Sequence, residues 1–170
     1  MYLYHRVPTR VIGSVIRPLN QLKELDQDLY DLQKAKYKGR DDVAEQTIPP
    51  LNCGWGDVVF LTAVSPQELQ RAFAEAGTTL QSRKFYQIEA KSLDPNLMTV
   101  RLYPGGRYFP RVFVPFNLHD LEEYSKVPTC TVEYYRLQHQ TGQYIMTFHH
   151  IPHILYKGAI DVSDVTIVEL

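Results

Sequence analysis

With 170 residues, 18 Lys and Arg against 19 Asp and Glu, and a formal net charge of −1, the chain has the length of one domain and no basic excess. That balance argues against a nucleic-acid-binding face, and no run approaches the ~20 apolar residues that a membrane span requires. The opening residues carry neither the apolar core nor the cleavage pattern of a secretory leader, and Cys53 and Cys130 belong to no CxxC pair, so a reducing, cytoplasmic setting is expected.

Residues 2–7, aromatic and alternating, read as a strand. From Thr9 to about Tyr37 the pattern is helical and broken near Pro18, with Leu22, Leu25, Leu29 and Leu32 on one stripe and Gly39 as a stop. A short helix is expected over 41–46, then a Pro- and Gly-rich loop over 48–57 that contains Gly54-Trp55-Gly56. Val58 to Thr62 reads as a strand buried on both faces. Ser65-Pro66-Gln67-Glu68 starts a helix: a Ser cap, Pro at the first position and Glu three after the cap. Leu69, Ala72, Phe73 and Ala76 give that helix its buried face, and Gly77 ends it. Strands follow at 84–90, 97–103 and 111–116, and a short helix capped by Asn117 comes next. Residues 131–137 and 143–148, flanking Gln138-His139-Gln140-Thr141-Gly142, read as a hairpin, and strands near 151–156 and 164–169 complete the chain. The pattern predicts a single α+β domain over 1–170, with helices mainly in the N-terminal half and a largely antiparallel twisted sheet.

Several groups stand out chemically. His5 lies in the first strand, where an imidazole can face a pocket as hydrogen-bond partner, acid or base; a structural role at a strand end is the commoner use. The Trp55 loop offers an indole between two glycines, with Asn52 and Asp57 beside it, either to cover a ligand or to plug the edge of the core. Arg107 and Arg111 flank a turn from Pro104 whose amides and guanidiniums suit a phosphate, and Lys36, Lys38 and Arg40 form a smaller basic cluster. In both places solvated cations are the commoner reading. His149, His150 and His153 fall within five positions, which invites a zinc reading. No carboxylate or thiol is near them, and on a strand His149 and His150 point to opposite faces, so no metal is expected. No GxGxxG, P-loop or GxSxG motif occurs. The 12 Tyr suit half-buried strands and ring-stacking pockets alike.

Two blocks resemble the ADP-ribosyltransferase-like superfamily over about the first 76 residues: Tyr4-His5-Arg6-Val7-Pro8 followed by Ile12 to Pro18, and Asp57-Val58-Val59-Phe60-Leu61-Thr62 followed by the helix from Pro66. The first lacks the family's Gly-Leu pair, and Phe60 stands where a tyrosine is usual. The resemblance implies NAD or a related nucleotide as ligand and transfer of ADP-ribose to an acceptor it does not specify. It implies His5, Thr62 and the late Glu169 as catalytic residues. Arg6, Asn52, Trp55, Arg107 and Arg111 would then hold the cofactor. Two alternatives stand beside it: a non-enzymatic binding domain using the Trp55 loop and a Tyr-rich surface, and a metal-dependent enzyme built on the three late histidines.

Overall fold

The first strand, β1 (Tyr2–Arg6), runs antiparallel to β6 (Lys84–Glu89), which pairs on its other edge with β11 (Thr166–Glu169). Both faces of this three-stranded sheet are covered, as strand alternation requires: Leu3, Tyr86 and Ile88 enter the main core, and Tyr4 and Phe85 enter a second cluster with Val64, Leu69 and Ile151. A second antiparallel sheet has the order β5 (Val58–Leu61), β9 (His153–Lys157), β7 (Met98–Leu102), β8 (Val112–Pro115). Its inner residues Val59, Leu61, Ile154, Met98 and Val100 meet the first sheet, while Val58 and Leu155 pack outward on Trp55, Ile48 and Leu51. The α+β class with antiparallel sheets is thus present in this computed structural model, which describes residues 1–39, 45–103 and 112–170. Most of the expected helix over 41–46, together with Arg40, Arg107, Arg111 and the Pro104 turn, lies outside the described residues. Among the described residues no helix is long and apolar enough to cross a membrane.

The helix after Ser65 forms as its sequence dictates. The Ser65 Oγ accepts from Glu68 N at 3.1 Å, α3 (Pro66–Glu75) buries Leu69, Ala72 and Phe73, and Gly77 takes the left-handed φ of 81°. The stretch before Tyr37 departs from expectation. Residues 9–17 are not helical: Gly13 turns at φ 62°, Ile12 bridges Val15, and β2 (Val15–Ile16) pairs with β10 (Ile160–Asp161). The β-branched residues there find strand partners far along the chain. Beyond Pro18, α1 (Leu19–Leu25) stops at Asp26, whose extended backbone and Oδ1, accepting from Leu29 N at 2.9 Å, start α2 (Gln27–Lys34). This break splits the leucine stripe, so Leu22 and Leu29 are buried while Leu25 and Leu32 stay exposed.

The largest correction falls late in the chain. Instead of a hairpin over 131–148, Thr129–Gln140 is a helix of 12 residues, α5; the short α4 (Leu121–Tyr124) precedes it. Val132 and Tyr135 pack on Ala72, Phe73 and Ala76 of α3, and tertiary burial overrides the strand preference of the Thr, Val and Tyr side chains. Gly142, read as the hairpin turn, ends the helix at φ 65°.

Candidate functional site

The two sheets touch along β1 and β5 at one point, where Tyr4 N donates to Thr62 O at 2.8 Å and Thr62 N to Tyr4 O at 3.0 Å. From there β1 follows β6 and β5 follows β9, so the backbones fork. His5 closes the apex. Its Nδ1 donates to Phe60 O at 2.8 Å, standing in for the backbone donor that the diverging strand withdraws. A carbonyl only accepts, so Nδ1 carries the proton and Nε2 presents a lone pair. Burial, with a smaller push from the Lys36 charge, holds the His5 pKa below its usual value, so the ring is neutral near pH 7.

Beyond the apex the fork opens into a cleft of about 410 Å³, roofed by α1 and α2. Its walls are mostly aliphatic, and its charged lining is Arg6, Arg10, Arg17 and Lys36, with no carboxylate among its described residues. Arg10 is ion-paired with Asp26, and Arg17 donates to Ile12 O at 2.7 Å and Val15 O at 3.2 Å. Lys36 bonds Gln33, and its pKa is lowered by burial and then by the Arg6 charge. The Arg6 and Lys36 charges thus repel one another, and both side chains line the cleft.

Trp55 lines the same cleft but is only 7% exposed, with the Phe60 ring 4.6 Å and the Arg101 guanidinium 4.6 Å from its ring centre. Its loop is tied down. Asp57 accepts from Gly54 N at 2.8 Å and from Asn20 Nδ2 at 2.7 Å, and a Cβ on Gly56 would lie 2.6 Å from the Asn20 side chain. The glycines thus serve close approach rather than a swinging indole, and Trp55 belongs to the core edge.

The structure brings His5, Arg6 and Trp55 to one cleft and leaves three other sequence candidates outside it. Thr62 is buried, its Oγ1 accepting from Val64 N at 3.1 Å. Asn52 caps the 3-10 turn Pro49–Leu51 in a left-handed conformation, φ 46°. Glu169 lies on the outer strand of the first sheet, 3.5 Å from Lys84 Nζ. No family model, curated protein or solved structure matches the chain.

A second group of polar side chains was only half visible in the sequence. His150, at φ 57°, does not alternate with its neighbour: its ring stacks on His149 at 3.8 Å, and His149 stacks on Tyr134 at 3.7 Å. His153 opens β9, with Nδ1 donating to Ile151 O at 2.8 Å and Tyr103 Oη 3.2 Å from the same nitrogen. Burial, with a contribution from Arg101, pushes the His153 pKa down to about 4. Arg101 itself is 4% exposed and packs between the Trp55 and Tyr103 rings. A lone charge inside Met98–Leu102 was the sequence signal for it. Among the described residues no three His, Cys, Asp or Glu side chains are grouped to hold a metal ion.

Proposed function

We propose that the protein binds an anionic nucleotide, NAD or an ADP-containing relative, in the cleft between the β1–β5 fork and the α1–α2 pair. The observation that carries this reading is the cleft's charge: four cations and no described carboxylate around an apolar interior, with a neutral imidazole fixed at its apex. Its volume suits a small molecule, and Arg6 and Lys36 at the mouth suit phosphate oxygens. His5 Nε2 then accepts a hydrogen bond from a ligand hydroxyl. A wider concavity of about 530 Å³ near Tyr4 and Ser65 fits less well, since Glu68 and Glu122 oppose an anion there.

The resemblance points to NAD within this ligand class. Transfer of ADP-ribose would in addition need a carboxylate to stabilise positive charge developing on the ribose, and Glu169, which the resemblance casts in that role, does not line the cleft. Binding is therefore the function the geometry supports best. Calorimetric titration tests it. ADP and NAD should bind, with affinity falling as salt rises; adenosine should bind at least tenfold more weakly than ADP, and Arg6→Gln should weaken ADP by about tenfold, the worth of a hydrogen bond to a charged group. Equal affinities for adenosine and ADP, or no binding of either nucleotide, would overturn the proposal.

A further inference from the structure

The cleft presents more hydrocarbon than a nucleotide uses. Val7, Val11, Ile12, Val15, Leu19 and Leu32 line it, and none of them is fully buried: the first five are half-buried and Leu32 is 54% exposed. They come from the segment after β1, from β2, from α1 and from α2, so distant stretches of chain build one concave aliphatic surface. Leu32 shows this most plainly. It stands one turn after Leu29 on the same face of α2, yet Leu29 is buried and Leu32 is not. The apolar face of α2 thus runs past the edge of the core and into the cleft. Single exposed leucines are ordinary, but a contiguous apolar surface inside a concavity marks a binding site. Charge is distributed the other way. Arg6, Arg10 and Lys36 are exposed and so lie at the rim, while Arg17 is half-buried and held by the carbonyls of Ile12 and Val15. Neutral polar side chains in the described lining are His5, Thr9, Gln33, Tyr37 and Trp55, and Gln33 already bonds Lys36. An adenine ring, with donors and acceptors around its edge, finds few partners in such an interior, whereas a hydrocarbon chain needs none.

On this basis, and resting on the nucleotide reading above, we propose that the ligand is an ADP derivative bearing an acyl chain, of the acyl-coenzyme A class. Its diphosphate meets Arg6 and Lys36 at the rim, its adenosine stays outside, and its chain runs inward over the aliphatic surface between the α1–α2 pair and the fork. Charge complementarity sets the polarity of the ligand: cations outside and hydrocarbon inside match an anionic head on an apolar tail. A cleft of about 410 Å³ takes only part of so large a molecule, in keeping with a head left at the rim.

Calorimetric titration with acetyl-, butanoyl-, hexanoyl- and octanoyl-coenzyme A tests the inference, with ADP and octanoate as the head and the tail alone. Each methylene taken out of water is worth about fourfold in affinity at full burial, so affinity should rise about tenfold per two-carbon step. Octanoate should bind at least tenfold more weakly than octanoyl-coenzyme A, because it lacks the diphosphate. Leu32→Gln changes a side chain that is already exposed, so folding is not at stake, and it should cut the preference for octanoyl over acetyl about fivefold. A flat series beside measurable ADP binding overturns the inference alone. A rising series that Leu32→Gln leaves intact puts the chain elsewhere and also overturns it. Failure of both ADP and octanoyl-coenzyme A to bind overturns the nucleotide reading, and octanoate binding as tightly as octanoyl-coenzyme A removes any role for the nucleotide head.

Discussion

Lowering the pH from 7 to 5 should destabilise the fold through His153. In the folded protein burial holds its pKa at about 4, against 6.5 for an exposed histidine, so between those values the unfolded chain binds a proton that the native state refuses. Stability therefore rises with pH across this window, and the penalty appears as pH falls through 6.5. With those two constants the linkage relation gives a loss of about 2 kcal/mol at pH 5, and close to none at pH 7. For a chain of this length that is a fall in Tm of about 4–8 °C. His5 and His150 are depressed by burial in the same direction and add to the total, so the comparison must be differential. Calorimetric melting of the wild type and His153→Phe at both pH values isolates the term, because the variant keeps the other histidines and loses only this titration. The wild type should lose more Tm between pH 7 and 5 than the variant does. Equal losses in the two proteins would refute the buried, neutral state of His153.

Three other perturbations have defined outcomes. Ser65→Ala removes the oxygen that caps α3 and should cost about 1 kcal/mol, seen as a Tm lower by about 2–4 °C. Tyr135→Phe leaves the ring buried between α5 and α3 but takes the donor from Thr147 O; the unsatisfied carbonyl should cost about 1–3 kcal/mol in a urea titration with m unchanged. Gly56→Ala should displace the Asn20 side chain, which is its nearest obstacle, and break the exposed Asn20–Asp57 bond. Because that obstacle is a side-chain end, the loss should stay below about 1 kcal/mol, and a larger one would mean that the Trp55 loop backbone itself cannot yield.

Legibility in the sequence followed how local each determinant was. The helix after Ser65 carries its cap, its proline and its stop within a dozen positions, and it forms where those residues place it. By contrast α5 carries Thr, Val and Tyr side chains that favour strands locally; only the docking of Val132 and Tyr135 on α3, some 60 positions earlier, makes them helical. The same logic divides the site. His5 and Arg6 are adjacent on β1, and Trp55 and Phe60 flank the start of β5, so two short segments supply most of the named groups. Glu169 could be placed only by knowing that β11 joins the far edge of β6, a pairing with no local signature. His150 was misjudged for a different reason: alternation holds on a strand, and its left-handed backbone turns both rings to one stack before β9 begins.

The central claim is that the fork between the two sheets takes an anionic nucleotide. Titrating ADP into isotopically labelled protein, with its resonances assigned, tests it most directly because the spectrum reports place as well as binding. The account predicts saturable shifts at His5, Arg6, Lys36 and Phe60, with Ser65, Glu68 and Lys126 in the wider concavity unmoved. Shifts confined to that second set, or none at any ADP concentration, would contradict it.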